Sequence, residues 1–148
     1  SAYLRNTLWE LGYAVDTLET AVNWDKVTIT MNRVEDALMH ALEPVNERVL
    51  AFSHLSHVYA TGSSIYTTFV FRLADAPQKT LDHWRKLKQA ASQAIVEAGG
   101  TISHHHGIGK DHLPYLEAEK GAIGIHTLSQ VFDYLDPQRQ MNPGKLLP

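Results

Sequence analysis

The residues of this chain best suited to chemistry lie in the run His-His-His-Gly-Ile-Gly-Lys, from His104 to Lys110. Three adjacent imidazoles place several groups that titrate near neutral pH in one short segment. The two glycines allow the backbone to turn sharply and to approach a flat ligand closely. Structural cores seldom contain such a cluster, because each buried ring nitrogen needs a hydrogen-bond partner. We therefore interpret this run as part of an active site.

The residues alone leave three interpretations of the histidine triplet open. The first is an inert, solvated loop, although Ser103 and the two glycines indicate a shaped turn. The second is a metal site completed by His112 or Glu117. Adjacent residues point their side chains apart, whereas zinc ligands are usually spaced by about two to four positions or by a helical turn, so we assign no metal ligand. The third is a set of acid/base groups around a substrate, which needs no further ligand, and we favour it.

Three residues outside the triplet are further candidates. Lys110 fits either a point charge for a phosphate or an exposed loop lysine. Tyr66 is by default a packed aromatic residue, but His57 is predicted on the same strand face, and a phenol beside an imidazole can pass a proton. Arg5 is by default a solvated helix residue. Its functional alternative is an anion clamp, because a guanidinium binds carboxylate or phosphate through two parallel bonds.

Hydrophobic periodicity and breaker residues predict the elements that position these groups. Helices are predicted over 2–12, from a cap at Asn23 to Pro44, from a cap at Asp75 to Gly99, and near 112–120 and 124–135. Strands are predicted over 13–20, 48–60 and 63–74. The buried helix positions are predicted to include Leu4, Leu8, Val27, Val34, Leu38, Leu81, Leu87, Ile95, Leu128, Val131, Phe132 and Leu135.

The second and third strands are predicted to form a hairpin with Thr61 and Gly62 at its turn. This register pairs His57 with Tyr66 and places Tyr59 and Arg72 on the same polar face. An error of two residues would change the partners but not the faces, because side chains alternate with a period of two. The opposite, core face is predicted to contain Leu50, Phe52, Val58, Ile65, Phe71 and Leu73.

Length and composition predict one small domain. The chain has 148 residues, of which 44% are hydrophobic, enough to bury a core. Helices that alternate with a few antiparallel strands predict an α+β fold, with helices packed on one face of a small antiparallel sheet. The net charge of −3 argues against a nucleic-acid partner. No apolar run reaches the ~20 residues of a membrane span, and no G-x-G-x-x-G dinucleotide fingerprint occurs.

Four segments together resemble the substrate-side, C-terminal part of the alkyldihydroxyacetonephosphate synthases and their bacterial relatives. These are flavoproteins of the vanillyl-alcohol oxidase superfamily. The triplet is specific to that branch, and the Asn-Pro-Gly-Lys ending is shared with flavin-linked 2-hydroxy-acid dehydrogenases. The segments are Ser103 to Lys110; Tyr3-Leu4-Arg5 with Glu19-Thr20-Ala21 and Trp24-Asp25; His57 to Tyr59 and Ile65-Tyr66; and Asp136-Pro137 with Asn142 to Pro148.

The resemblance implies an FAD enzyme of which this chain is one part. Residues 1–148 would be the C-terminal part of a ferredoxin-like cap domain, and FAD would be bound mainly by an N-terminal domain that the chain lacks. The implied reaction is alkyl-for-acyl exchange on an acylated dihydroxyacetone phosphate, or a flavin-linked oxidation such as that of a 2-hydroxy acid. We expect the isolated chain to be inactive, and the resemblance allows a homodimer of the full-length protein.

The resemblance also implies residue roles. Tyr66 matches the catalytic tyrosine, and His105 and His106 match histidines beside the flavin that take part in proton transfer. Arg5 matches an arginine that grips the acidic group, phosphate or carboxylate, of a small-molecule substrate. The other matches are a further catalytic histidine, two substrate contacts and one cofactor contact: His104, His57, Lys110 and Asn142.

Three further expectations remain. The Leu-Leu-Pro ending is not a peroxisomal Ser-Lys-Leu signal, so we expect a bacterial enzyme that is cytoplasmic or membrane-peripheral. A metal-dependent hydrolase that uses the histidines is an alternative function. A third alternative is a pH-sensing interaction domain in which the triplet acts only as a switch.

Overall fold

The computed structural model describes residues 2–147, with side chains from residue 5 onward, so the predicted burial of Leu4 lies outside the described side chains. Its helices are α1 (Ala2–Glu10), α2 (Val27–His40), α3 (Pro77–Ala98) and α4 (Leu116–Leu135). Its strands are β1 (Tyr13–Asn23), β2 (Val49–Val58) and β3 (Gly62–Arg72). The predicted α+β class is confirmed. None of the described helices is long and apolar enough to cross a membrane.

The three strands form one antiparallel sheet in the order β1-β3-β2. One face is covered by α2 and α3. Most residues of their predicted apolar stripes are buried against it, among them Val34, Leu38, Leu87 and Ile95, but Leu81 near the start of α3 is 38% exposed. The opposite face, which we call the open face, has no helix packed on it among the described elements. The centre of the core consists of Leu18, Val34, Leu38, Phe69, Phe71, Leu87 and Ile95.

The predicted register of the hairpin is wrong by three residues, because Leu50 pairs with Val70 and not with Leu73. Two residues of this shift arise at the turn. The Tyr59 N–H donates to the Gly62 carbonyl oxygen at 2.8 Å, so the two central residues of the turn are Ala60 and Thr61 and not Thr61 and Gly62. The third arises from a β-bulge between Leu55 and Val58.

The bulge changes which face of β2 is buried. An odd error in register moves every side chain to the other face, so Leu50 and Phe52 lie on the open face, 61% and 49% exposed. The core positions of β2 are Val49 and Ala51 instead. Beyond the bulge the side chains of β2 again lie on the predicted faces, so His57 lies on the open face as predicted. The predicted pairing is wrong, because Tyr66 pairs with His54 and not with His57.

Two predicted caps and one buried stripe are also wrong. Asn23 precedes a short 3-10 turn and not α2, and Asp75 is not the N-cap of α3. Neither helix has a side-chain hydrogen bond at its N-cap. Gly99 does end α3 in the left-handed conformation, at a φ of 72°. The α4 helix bends at Gly121. Leu116 in its first turn is buried, but Val131, Phe132 and Leu135 in its second half are 50%, 41% and 71% exposed.

Candidate functional site

The histidine triplet is held beside β1 by backbone hydrogen bonds. Residues 100–104 run along the free edge of this strand, where the Thr101 N–H donates to the Ala21 carbonyl oxygen at 3.2 Å. The His104 N–H donates to the Glu19 carbonyl oxygen at 3.1 Å. Gly100 permits this approach, because a Cβ at that position would lie 2.5 Å from Thr20 Oγ1. The edge strand therefore fixes where the triplet begins.

A carboxylate from α4 holds the start of the same segment. Glu119 Oε2 accepts the Ile102 N–H at 2.8 Å and the Thr101 hydroxyl at 2.9 Å. Burial tends to raise the pKa of Glu119, but bonds from Lys120, Ile102 and Thr101 outweigh it and lower the pKa below its ordinary value.

We expect Glu119→Gln to loosen the histidine segment. The amide keeps its oxygen but loses the charge, and hydrogen bonds to charged groups contribute about 1.5–3 kcal/mol; partial exposure of the site reduces this to about 1 kcal/mol. Urea unfolding would measure the loss, and faster amide exchange at Ile102 would locate it. The matched control is Glu117→Gln, on the same helix turn and exposed. Equal stability in the two variants would contradict the role of Glu119.

The triplet itself forms a tight turn. His105 has a φ of 61°, a left-handed conformation that few residues other than glycine adopt. The Ser103 hydroxyl donates across the turn to the Gly107 carbonyl oxygen at 2.8 Å. As a result the rings of His104 and His105 stack at a centroid distance of 3.9 Å. The expectation that adjacent histidines point apart is therefore wrong for this pair, because the left-handed turn brings their side chains together.

A carboxylate that the sequence interpretation did not assign lies at the centre of the site. The Glu19 side chain, on β1, is only 3% exposed. Its Oε1 accepts the Ser56 hydroxyl at 2.6 Å and lies 3.3 Å from His57 Nδ1 and 3.2 Å from His104 Nδ1. Its Oε2 lies 3.2 Å from His106 Nε2. We call Glu19, His57, His104, His105 and His106 the Glu19 cluster.

Hydrogen bonds keep the Glu19 carboxylate charged. Burial by itself would raise the pKa of Glu19, but hydrogen bonds from Ser56, Ser64, His104 and His57 outweigh it, so the pKa lies below its ordinary value. A buried carboxylate surrounded by donors is a fixed negative charge, and fixed charges of this kind occur at functional sites as well as in structural ion-pair networks.

The lowered pKa values of Glu19 and Glu119 predict acid sensitivity. Their stabilising contribution is fully present above the unfolded pKa, 4.5 for a glutamate, and is lost as the pH falls through the lower folded pKa. We therefore expect the free energy of unfolding to decrease steadily below about pH 4.5. Urea titrations at several pH values would measure this, and the decrease should be shallower in Glu19→Gln. An identical pH dependence in that variant would contradict the assignment.

The predicted catalytic tyrosine lies next to the cluster. Tyr66 pairs with Glu19 across β1 and β3, and its ring centroid is 5.7 Å from that of His106. Its hydroxyl donates to Thr17 Oγ1 at 3.2 Å. A second phenol, Tyr59, lies with its hydroxyl 3.0 Å from His104 Nε2. The open face therefore carries two phenols, the four imidazoles of the Glu19 cluster and a buried carboxylate in one group.

A cleft of about 450 Å³ adjoins the cluster on the side of β1. Lys110 lies in its wall, so the structure brings this predicted substrate contact to the site. His112 Nδ1 is buried with no hydrogen-bond partner among the described residues. Burial, followed by the nearby charge of Lys88, lowers the pKa of His112 and favours the neutral ring. The polar lining of the cleft includes Glu19, Lys88, His106, Lys110, His112 and Lys145.

Two predicted site residues are not brought to the cluster. Arg5 is exposed on α1 and contacts none of the cluster residues in the described part of the chain. Asn142, at a φ of 50° in the C-terminal segment, lines a separate cavity of about 230 Å³ beside Phe132. Lys145 lines both cavities and connects the two regions. The roles given to Arg5 and Asn142 remain predictions.

Comparison with known families identifies what the chain resembles as a whole. The family described as FAD linked oxidases, C-terminal domain, matches residues 1–146. The alkyldihydroxyacetonephosphate synthase of Caenorhabditis elegans is 33% identical over 92% of this chain and 23% of that protein. That of Trypanosoma brucei brucei is 28% identical over 99% of this chain and 24% of its own length.

A relative that is named for another activity and a solved structure extend the comparison. The mitochondrial D-lactate dehydrogenase (cytochrome) of Arabidopsis thaliana is 24% identical over 97% of this chain and 24% of that protein. A crystal structure of an alkyldihydroxyacetonephosphate synthase superposes with a TM-score of 0.65 at 19% identity, over 95% of this chain and 22% of that one, which shows a shared fold. The chain spans about a quarter of the length of the curated relatives it matches.

Proposed function

We propose that this chain, which belongs to the family of C-terminal domains of FAD-linked oxidases, forms the substrate-side wall of a flavin-dependent active site. The observation that carries the proposal is the open face of the sheet. There a carboxylate that is 3% exposed contacts the imidazoles of His57, His104 and His106. The ring of His105 stacks on His104, and the phenol of Tyr66 lies beside His106. Acid/base groups that converge on an uncovered face, rather than in a core, support a role toward a bound substrate.

The described residues of this chain fit contact with one side of FAD only. His105 and His106 are exposed next to the buried carboxylate, as groups that contact a flat ring would be. The sequence has no glycine-rich dinucleotide fingerprint, so tight binding of FAD would depend on another domain. When bound, FAD would supply the electron-accepting chemistry, and the protein would supply binding, orientation and proton transfer.

We assign proton transfer to His106 and Tyr66. The Glu19 carboxylate lies at His106 Nε2, which leaves Nδ1 of the same ring to exchange a proton. The imidazolium formed when His106 takes up a proton is stabilised by that carboxylate, as in other sites where a buried carboxylate supports a histidine base. Tyr66 presents its hydroxyl on the same face and donates or accepts the proton at the substrate.

The cleft beside the cluster would bind the acidic group of the substrate. Three cationic side chains line it, those of Lys88, Lys110 and Lys145. Lys88 also lies 3.8 Å from Asp16, which offsets part of its charge. Lys110 has no such partner within the described residues and is the residue we assign to a phosphate or carboxylate.

The reaction that we favour is alkyl-for-acyl exchange on an acylated dihydroxyacetone phosphate. Two alkyldihydroxyacetonephosphate synthases, at 33% and 28% identity to this chain, support this choice. Such an exchange releases a fatty acid and takes up an alcohol, with no net oxidation. Flavin-linked oxidation of a 2-hydroxy acid is the second candidate, favoured by the similarity to a D-lactate dehydrogenase.

One experiment separates the two candidates. The FAD-loaded enzyme that contains this domain is incubated with acylated dihydroxyacetone phosphate and an isotopically labelled long-chain alcohol, or with D-lactate. Exchange predicts label in an ether-linked product, equimolar fatty acid and no net bleaching of the flavin. Bleaching by D-lactate without an ether product would establish the second candidate, and the absence of both would refute the proposed reaction class.

A further inference from the structure

We infer that Glu19, His57, His104 and His105 form a binding site for one zinc-class divalent transition-metal ion. One potential ligand atom from each of these residues lies within 4.8 Å of the others. Three imidazole nitrogens and one carboxylate oxygen form a ligand set that Zn²⁺ accepts in tetrahedral geometry. The inference goes beyond the proposed function and does not depend on flavin or substrate.

Two edges of the coordination tetrahedron already have the required length. With metal–ligand bonds of about 2.0–2.1 Å, neighbouring ligand atoms of a tetrahedron lie about 3.3–3.4 Å apart. Glu19 Oε1 lies 3.3 Å from His57 Nδ1 and 3.2 Å from His104 Nδ1. In the absence of a metal ion, each of these separations is a hydrogen bond with its own proton, and a metal ion bound by the same atoms would replace those protons. The exposed ring of His105, which stacks on His104 and lies edge-on to His57, would supply the fourth ligand.

The partners that usually orient metal ligands are also in place. Metal-binding histidines commonly donate their second ring N–H to a fixed acceptor, and this sets the tautomer. His104 has such a partner, because its Nε2 lies 3.0 Å from the Tyr59 hydroxyl. The carboxylate is held in the same way, by the Ser56 hydroxyl at 2.6 Å on Oε1 and by His106 Nε2 at 3.2 Å on Oε2. His106 is therefore a supporting residue of this site and not a ligand.

The ligands come from three separate parts of the chain. Glu19 lies on β1, His57 at the bulge of β2, and the two triplet histidines on the loop that follows α3. Only two of the four are adjacent in sequence, and no regular zinc-ligand spacing connects the others. A site of this kind is not visible to motif searches, because the pairing of β1 with β3 and the left-handed turn at His105 assemble it.

Metal titration of the 148-residue chain tests the inference. The chain is treated with chelator, desalted and titrated with ZnCl₂ by calorimetry, and CoCl₂ absorption reports the coordination geometry. We expect one ion per chain and a tetrahedral cobalt spectrum. Tyr59→Phe should weaken binding by about 10–100-fold, the usual effect of losing an outer partner, and His57→Ala should weaken it further.

The matched control is His126→Ala, which removes an exposed imidazole on α4 outside the cluster and should leave the affinity unchanged. His57 is 46% exposed in its side chain, so its truncation should preserve the fold, which circular dichroism would verify. No saturable binding in the wild type, or an octahedral cobalt spectrum, would overturn the inference. So would equal affinities for wild type and His57→Ala. None of these results would affect the proposed flavin-dependent function, because neither flavin nor substrate is present.

Discussion

A Tyr66→Phe variant of the FAD-loaded enzyme is expected to turn over about 10²–10⁴-fold more slowly than the wild type, the usual contribution of one acid/base group. The substitution removes only the hydroxyl, and the half-buried ring would keep its packing against His54 and His106. The Michaelis constant should change little, because a group that acts in the transition state contributes to turnover rather than to ground-state binding. Steady-state kinetics at saturating substrate would measure the effect.

The control for this prediction is Tyr13→Phe. Tyr13 lies on the same face of the same sheet, at the opposite end of β1, where it pairs with Arg72. We expect this variant to turn over at the wild-type rate. If Tyr66→Phe is as active as Tyr13→Phe, the tyrosine has no role in proton transfer.

The second large effect is expected from Glu19→Gln. The amide has the size of the carboxylate but cannot stabilise an imidazolium, and its NH₂ group would oppose donors such as the Ser56 hydroxyl. We expect turnover to fall by about 10²-fold or more, and the free energy of unfolding to fall by about 1–3 kcal/mol for the loss of charged hydrogen bonds. Kinetics and urea unfolding of the same preparation would measure both effects.

Glu47→Gln is the matched control for Glu19→Gln. Glu47 pairs with Arg72 at 3.1 Å on the rim of the same sheet, where Arg72 is largely exposed. Exposed ion pairs contribute about 0–1 kcal/mol, so we expect a small change in stability and none in turnover. Comparable losses in the two variants would show that Glu19 is an ordinary structural carboxylate.

Short-range patterns predicted the helices and the identity of the polar strand face. The 3.6-residue period correctly predicted Val27, Val34 and Leu38 as buried residues of α2, and Leu87 and Ile95 as buried residues of α3. Gly99 marked the end of α3. The period of two correctly placed Tyr66 on the face opposite Phe69 and Phe71. These predictions succeed because they depend on residues close together in the chain.

Predictions that depended on long-range pairing were less successful. A one-residue bulge between Leu55 and Val58 reversed the faces of the first half of β2, and no local signal marks it. Glu19 had one usable signal, since a charged residue in the middle of an alternating strand is unusual. Its role depends on three partners from distant segments, Ser56, His57 and His104, which a single sequence does not bring together.

The exposed apolar side of α4 shows the limit of periodicity. The spacing of Leu128, Val131 and Phe132 correctly predicts a helix, but Val131 and Phe132 are 50% and 41% exposed. Periodicity predicts which residues share a face and not what covers that face.

The most direct test of the proton-transfer unit is a double-mutant cycle between Glu19 and His106, with turnover of the FAD-loaded enzyme as the readout. The contact between Glu19 Oε2 and His106 Nε2, at 3.2 Å, makes the two residues one functional group. Residues that act as a unit are strongly non-additive. We therefore predict that the double variant Glu19→Gln, His106→Asn is about as slow as the slower single variant. If the two losses instead multiply, the carboxylate does not act through this histidine, and the proposed mechanism is wrong.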